Sequence, residues 1–154
     1  METPRGRLRP AEDEMSKANE VVPQREGPDP LRPYSLVVSQ TSYAGRGVFA
    51  AEDIPAGALI EECPILVLPE TEMSAAMGTE LGNYIFQWGP SRDEGAVALG
   101  YGSLFNHSFS PNAMYIRKLH TKTLMFVALE AIGAGTEITV NYNGSPEDRS
   151  PVWF

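Results

Sequence analysis

A succession of short runs rich in β-branched and aromatic residues, separated by turn residues, begins at Tyr34 and constrains the fold more than any other feature of the chain. Runs of this kind bounded by Gly, Pro and Asn are typical of β-strands. The runs are YSLVVSQ, RGVFAAE, ALIEE, PILVL, YIFQW, AMYIRKL, TLMFVALE and TEITVNY. The pattern predicts a mostly β domain of short, curled strands. Two similar segments, AAEDIPAGALI and ALEAIGAGTEI, are interpreted as two copies of the same strand–turn–strand motif.

The runs also carry finer predictions. TLMFVALE is apolar at both alternating sets of positions, which predicts a strand buried on both faces. KLHTKTL is interpreted as a tight connection between two paired strands. One helix is predicted, with Thr71 as its N-cap and EMSAAMGTEL as its body.

The first 33 residues differ in character from the rest of the chain. They are rich in Pro, Gly and charge and contain almost no aromatic residues. Such a segment cannot bury enough apolar surface to offset the entropy lost on ordering. We therefore predict a flexible tail over residues 1–33 and a single domain over residues 34–154.

Several observations bear on where the protein works. No apolar run approaches the ~20 residues that span a bilayer. The basic N-terminus is not followed by an apolar stretch, so a secretory signal is not expected. The single cysteine, Cys63, excludes an internal disulfide framework, and we interpret it as a small buried hydrophobe. A cytoplasmic location is predicted, with the nucleus as the alternative in a eukaryote.

The charge of the chain limits its partners. The formal net charge is −8, and residues 34–154 hold six Lys and Arg against 13 Asp and Glu. Direct nucleic-acid binding is not expected, because phosphate contacts need clustered basic side chains. An acidic domain attracts basic partners instead, although the acidity could also serve solubility alone.

Common catalytic and ligand-binding patterns are weak. The two His and one Cys have no metal-ligand spacing, so no metal site is predicted. Ser103 lies near His107 but lacks the surroundings of a nucleophile elbow. Gly45-Arg46-Gly47 lacks the further spacing of a phosphate-binding loop. It is either a turn between strands or a place where backbone closely approaches a ligand.

Three stretches, taken together and in order, carry more information than any one of them. They are AGRGVFAAEDIPAG, GYGSLFNHSFSPNAMY and LEAIGAGTEITVNYNG. In these the chain resembles the SET-domain protein lysine methyltransferases, whose signatures are Gly-x-Gly, Asn-His-Ser-x-x-Pro-Asn and Glu-Leu/Ile-Thr-x-x-Tyr. The resemblance covers roughly residues 34–154. It implies a SET-type (β-clip) fold of several small curved sheets with a knot-like C-terminal crossing.

The resemblance also implies an activity, the transfer of a methyl group from S-adenosylmethionine to a lysine of a basic, histone-like or ribosomal protein. By residue, it implies that the backbone of Gly45, Arg46 and Gly47 lies against the amino-acid end of the cofactor. Asn106 would bind that same end through its side chain. His107 would meet the adenine through its backbone, which makes its imidazole a poor general base.

The remaining implied roles concern catalysis. The Tyr142 hydroxyl would lie beside the sulfonium and the transferred methyl group, and positioning would dominate the in-line displacement. Tyr115 would line the lysine channel, and together with Val140 it suggests mono-methylation. Trp153 would cover the adenine or close the lysine channel.

The chain departs from the family pattern in two respects. It lacks Cys-rich zinc clusters, and it has Cys63 and Pro64 in the region after the IPAG turn where family members often carry an aromatic residue. Two alternatives stay open at this point, a SAF-like β-clip module that binds small ligands and a SET-like fold without turnover. A module this small could also use a homodimer to complete its binding groove.

Overall fold

The computed structural model describes residues 27–152, which form nine β-strands, one α-helix and two short 3-10 helices. The prediction of a mostly β domain with little helix is confirmed. No helix in this range is both long and apolar enough to cross a membrane. The elements are β1 (Leu36–Gln40), β2 (Arg46–Ala50), β3 (Leu59–Leu68), α1 (Glu70–Met77), a 3-10 helix (Glu80–Tyr84), β4 (Ile85–Trp88), β5 (Glu94–Ala98), a 3-10 helix (Gly102–Leu104), β6 (Asn106–His107), β7 (Ala113–Lys118), β8 (Thr123–Ala128) and β9 (Glu137–Val140).

Two curled sheets share one core. The first has the strand order β1-β2-β9-β6 and the second the order β4-β5-β3-β8-β7. Their pairings are antiparallel except that of β6 with β9, which is parallel. β7 and β8 form the hairpin predicted for KLHTKTL. The largest fully buried side chains come from both sheets and from the segment before β6, and they include Val48, Ile60, Phe105, Phe126 and Ile138.

The two similar turns of the sequence contact each other. The amides of Ile54 and Ile132 each donate to the other's carbonyl at 2.8 Å. Gly57 donates to Ala128 at 2.8 Å, and the equivalent Gly135 donates to Ala50 at 2.7 Å. Both glycines have positive φ (77° and 82°), a conformation that favours glycine. The repeated segment therefore joins the two sheets through a reciprocal contact.

β3 unites two runs that the sequence separates at Pro64. The strand pairs with β8 as far as Pro64 and with β5 from Ile65 onward. Proline has no amide hydrogen, so it is tolerated where the strand changes partners. Cys63 is fully buried and forms no disulfide, which confirms its interpretation as a buried hydrophobe. Burial raises the pKa of its thiol.

β8 confirms the strand predicted for TLMFVALE, but the prediction of burial on both faces is wrong. Leu124, Phe126 and Ala128 are buried, whereas the alternating residues stay partly exposed. Those apolar residues contact their neighbours across the sheet, as Met125 does opposite Ile116, and are only partly covered.

The helix prediction was right in kind but wrong in its limits. α1 begins at Glu70 after Pro69, so Thr71 is not the N-cap, and it ends at Met77. The chain then tightens into the 3-10 helix over residues 80–84. A Cβ on Gly82 would lie 2.8 Å from the Met77 carbonyl oxygen, so this return requires glycine.

β5 was not predicted, because its sequence EGAVA lacks the branched and aromatic residues that mark the other strands. Small residues are required there by close packing. A Cβ on Gly95 would overlap the sulfur of Met73, which comes from α1. Strand character at β5 is therefore a consequence of its neighbours rather than of local preference.

The part of the predicted tail that is described contacts the domain. The Glu62 amide donates to the Leu31 carbonyl at 2.6 Å. The Arg32 guanidinium lies 3.6 Å from the buried Glu61 carboxylate and stacks on Tyr101 at 4.8 Å. Residues 1–26 lie outside the described residues, and the domain boundary at residue 34 stays a prediction.

The pairing of β6 with β9 is reinforced by an asparagine side chain. The Ser108 amide donates to Val140 O at 2.9 Å, which extends the parallel pairing by one bond. The Asn112 carboxamide donates from Nδ2 to Glu137 O at 2.8 Å and accepts from Thr139 N at 2.9 Å. The side chain thus occupies the place of a strand partner along β9. We call this pair of bonds the Asn112 clasp.

Replacing Asn112 by Ala should lower the free energy of unfolding by roughly 2 to 3 kcal/mol, because two backbone groups of β9 lose their partner. Urea denaturation measures the change. Ser110→Ala in the same turn is the matched control and should change stability by less than about 0.5 kcal/mol. Equal effects of the two variants would show that the Asn112 clasp does not hold β9.

Candidate active site

Tyr142 is tied at both ends to the segment around β6. Its amide donates to His107 Nδ1 at 3.1 Å, and its hydroxyl donates to Phe105 O at 2.9 Å. Burial raises the pKa of this phenol to about 12, with smaller contributions from Tyr84 and Glu137. The hydroxyl is therefore neutral across the physiological range, with its hydrogen directed at Phe105.

Tyr142 lines a cavity of about 340 Å³ whose walls combine aromatic and apolar side chains with several polar ones. Tyr115 donates its hydroxyl to Tyr142 O at 3.2 Å, and its ring meets the Phe86 ring edge-on at 5.0 Å. Burial raises the pKa of Tyr115 as well. The lining residues are Met73, Met77, Asn83, Tyr84, Ile85, Phe86, Gln87, Ser103, Phe105, Tyr115, Tyr142, Asn143 and Asp148. We call this space the aromatic cavity.

Tyr142 also lines a second cavity, of about 240 Å³. Its walls include Arg46 and Asn106, two of the residues to which the sequence assigned cofactor binding. The full lining is Ala44, Arg46, Glu80, Asn83, Tyr84, Ser103, Leu104, Asn106 and Tyr142. We call this space the polar cavity. Tyr142 is common to both cavities and lies at their junction.

The Gly45-Arg46-Gly47 segment brings backbone close to the polar cavity. Gly45 has a φ of 72°, and its carbonyl accepts from the Thr41 amide at 2.6 Å, which closes the loop between β1 and β2. A Cβ on Gly47 would overlap a carboxylate oxygen of Glu137 and lie 3.0 Å from Asn106 Nδ2. The second glycine therefore permits side chains to pack directly on the backbone.

The carboxamide of Asn106 has a defined orientation. Its Nδ2 donates to Arg46 O at 3.0 Å and to Glu137 Oε1 at 2.8 Å. With both amide hydrogens engaged, the group can offer a ligand only its oxygen, an acceptor. The ammonium of an α-amino acid is a donor of the kind that this oxygen suits, so the residues present fit the amino-acid end of S-adenosylmethionine.

His107 is placed as a structural acceptor. Its Nδ1 accepts from the Tyr142 amide, and burial lowers the pKa of the imidazole, so the ring is neutral at neutral pH. The ring packs edge-on against Phe109 at 4.5 Å and lies 5.3 Å from the Tyr142 ring. It therefore orders the junction without acting as a base in this arrangement.

Four of the predicted residues that the structure describes line neither cavity, namely Gly45, Gly47, His107 and Val140. Val140 is fully buried opposite His107 in the sheet and lines neither cavity, so it can shape them only indirectly. Trp153 lies outside the described residues. Among residues 27–152, no group of three or more His, Cys, Asp or Glu could hold a metal ion.

Sequence reasoning missed several wall residues. Asn83, Tyr84 and Phe86 lie in or beside YIFQW, which was interpreted only as a strand. Their positions depend on the 3-10 turn before β4, for which the sequence has no spacing signal. Glu137 was visible as the first residue of the third signature, but no role was assigned to it.

Comparisons with known proteins agree with this geometry. The family model of the SET domain matches residues 45–143. A curated relative from Schizosaccharomyces pombe, "Histone-lysine N-methyltransferase, H3 lysine-37 specific", is 33% identical over 120 residues, which cover 77% of this chain and 76% of that protein.

Solved structures share the fold. A crystal structure from Plasmodium falciparum, provisionally described as a histone methyltransferase, has a TM-score of 0.58 and 27% identity, covering 73% of this chain and 96% of that one. A humanized mutant of the Chaetomium thermophilum Polycomb Repressive Complex 2, bound to the inhibitor GSK126, has a TM-score of 0.59 at 24% identity. That match covers 71% of this chain and 15% of the other, and it concerns the fold alone.

The matching family consists of enzymes that transfer methyl groups from S-adenosylmethionine to lysine side chains, so the predicted activity and cofactor are confirmed. The SAF-like and non-catalytic alternatives are set aside on the same grounds. The chain belongs to the SET domain family of protein lysine methyltransferases.

Proposed function

We propose that the aromatic cavity receives the target lysine, that the polar cavity receives the amino-acid end of S-adenosylmethionine, and that the methyl group passes between them beside Tyr142. The observation that carries this proposal is the shared wall. Tyr142, Tyr84, Asn83 and Ser103 line both cavities, so the two spaces share one wall that includes Tyr142. A direct displacement requires donor and acceptor to approach in line, and two spaces on either side of a shared wall suit that geometry.

The proposed cofactor site is made by Gly45, Arg46, Gly47, Asn106 and His107. When bound, S-adenosylmethionine supplies a methyl group on a positively charged sulfur. The Arg46 carbonyl and the Asn106 oxygen are acceptors that suit an ammonium group. The absence of a Cβ on Gly47 lets the side chains of Glu137 and Asn106 pack against this backbone. The adenine contact proposed for the His107 backbone, and the cover proposed for Trp153, rest on the family resemblance.

The proposed lysine site works by desolvation and orientation. Aromatic walls from Tyr115, Phe86 and Tyr84 disfavour the charged ammonium and lower the pKa of a lysine that enters. Tyr142 donates its hydrogen to Phe105 O, so the lone pairs of its oxygen are left for weak C–H···O contacts with a polarised methyl group. Since this phenol stays neutral, it orients the methyl group and does not accept the proton of the lysine ammonium. That proton passes to solvent water before the transfer.

We further propose mono-methylation. The Tyr115 hydroxyl is held by Tyr142 O at 3.2 Å, and a Cβ added at Gly144 would lie 3.4 Å from that hydroxyl. The space around the amine is thus bounded by a fixed hydroxyl on one side. A hydroxyl that holds the amine by hydrogen bond leaves less room for added methyl groups.

The proposed substrate is a basic protein segment. The net charge of −8 favours such a partner, and Asp148 lines the aromatic cavity. Hydrogen bonds from Ser150 hold the pKa of the Asp148 carboxyl below its usual range, so it is charged at neutral pH. A histone tail is the first candidate, since the fission yeast relative is named for histone H3, and a ribosomal protein is the second. A homodimer and a cytoplasmic or nuclear location remain predictions.

Tyr142→Phe should reduce methyl transfer from labelled S-adenosylmethionine to histone and ribosomal proteins by roughly a hundredfold, the scale of loss for a misplaced reacting group. Tyr34→Phe, a half-buried tyrosine outside both cavities, is the matched control and should retain wild-type activity. Residual activity of Tyr142→Phe within about threefold of wild type would contradict the proposed role.

Tyr115→Phe should increase the di-methylated fraction of product, because the hydroxyl that holds the amine is removed while the ring remains. Mass spectrometry of the peptide product at matched turnover measures this fraction, with Tyr34→Phe as control. A di-methyl fraction no higher than that of wild type would count against product control by Tyr115.

The pH dependence should report the lysine rather than Tyr142. Because Tyr142 has a pKa of about 12, it stays neutral between pH 7 and about 9.5, and its ionisation removes no activity there. The value of kcat/KM should rise by up to tenfold per pH unit as the amine loses its proton, and then level off. A decline in this range that disappears in Tyr142→Phe would contradict a neutral phenol.

A further inference from the structure

We propose that Glu137 is a positioning residue for the cofactor, one that fixes the Asn106 carboxamide and joins the loop between β1 and β2 to β9 through Tyr43. The inference rests on the cofactor site proposed above and assigns a role to a residue that lines neither cavity. Glu137 acts through its neighbours rather than by touching the reacting atoms.

Each oxygen of the Glu137 carboxylate accepts from a different segment of the chain. Oε1 accepts from Asn106 Nδ2 at 2.8 Å, and Oε2 accepts from the Tyr43 hydroxyl at 2.6 Å. Asn106 belongs to β6, and Tyr43 belongs to the loop that leads into Gly45. One carboxylate therefore links two of the segments that line the polar cavity, the loop that leads into Arg46 and the strand that begins with Asn106.

The bond to Asn106 decides which end of the carboxamide meets a ligand. Without a strong acceptor at Oε1, the group could rotate by half a turn and present Nδ2. With the carboxylate in place, both hydrogens are engaged and only the oxygen is left to accept from a ligand. A carboxylate acceptor makes this preference stronger than a neutral oxygen would. This orientation lets the Asn106 oxygen accept from the ammonium group of a ligand. It leaves no Asn106 hydrogen to donate to the carboxylate of that ligand.

The contact between Glu137 and Asn106 explains why residue 47 is a glycine. A Cβ on Gly47 would overlap Oε1 of Glu137 and would also lie 2.8 Å from Thr41 Cγ2. Any side chain at that position displaces the carboxylate from Asn106. The second glycine of the first motif is thus needed for the contact between Glu137 and Asn106.

The partners of the Glu137 carboxylate are hydrogen-bond donors rather than cations. Within residues 27–152, the ion pairs Arg32–Glu61 and Lys118–Glu62 do not include it. Burial, the hydrogen bond to Glu137 and its charge raise the pKa of Tyr43 to about 12. Because Tyr43 is 64% exposed, we assign the raised pKa mainly to the hydrogen bond with Glu137 and to its charge, which keep the hydrogen in that bond.

Isothermal titration calorimetry of the full chain with S-adenosylmethionine and with S-adenosylhomocysteine tests the inference. The two ligands share the amino-acid end, and only the first has a charged sulfur. Glu137→Gln should weaken binding of both ligands by about tenfold, the scale of a lost hydrogen bond to a charged group. Tyr43→Phe should weaken both by about threefold. Glu52→Gln should bind like wild type, because the Glu52 carboxylate accepts from the Ser35 amide and lies beyond the opposite end of β2.

A double-variant cycle separates positioning from direct attraction. If Glu137 acts through Asn106, Glu137→Gln should add little to the loss already caused by Asn106→Ala. Additive losses, or weaker binding of S-adenosylmethionine alone, would overturn the positioning role in favour of attraction to the sulfonium. Steady-state kinetics should show a raised KM for the cofactor and a smaller change in kcat.

Thermal unfolding of each variant provides the structural control. Unchanged affinity for both ligands in Glu137→Gln would overturn the inference, whether or not the melting temperature falls. Wild-type protein that bound neither ligand would instead overturn the proposed cofactor site. The two failures are therefore distinguishable.

Discussion

The parallel pairing of β6 with β9 is the contact on which the site depends. It joins residues far apart in sequence, with Asn106 opposite Thr139 and His107 opposite Val140. Two residue pairs provide little stability alone, and the Asn112 clasp extends the hydrogen bonding along β9. The second and third signature blocks meet at this contact, because the second contributes β6 and Asn112 and the third contributes β9.

Burial, rather than charge, sets the chemistry of the junction. Tyr142 and Tyr115 are phenols whose pKa values burial raises, and His107 is an imidazole whose pKa burial lowers. All three are neutral at physiological pH and act through hydrogen bonds and shape. A methyl transfer needs alignment and a deprotonated amine more than a protein base, and a neutral, desolvated junction serves both requirements.

Features with local signals could be predicted from the sequence. They are the strands with branched and aromatic residues, the turns at the two similar segments and the three signature blocks. β5 could not, since its small residues are dictated by Met73 packing on Gly95. The end of α1 was missed because the tight return at Gly82 outweighed helix preference. The burial of the outer face of β8 was predicted wrongly, because apolar residues on both faces do not reveal whether a second layer covers the strand.

The sequence by itself determined the family and supplied the residues of the proposed site, because short motifs of unusual composition can be recognised without knowledge of their contacts. It did not determine which groups meet. The two cavities that share a wall at Tyr142, the walls from the 3-10 turn before β4, and the carboxylate of Glu137 between Asn106 and Tyr43 were decided only by tertiary structure. The physical reason is that each depends on contacts between segments distant in the chain, whose distances and hydrogen bonds no local pattern encodes.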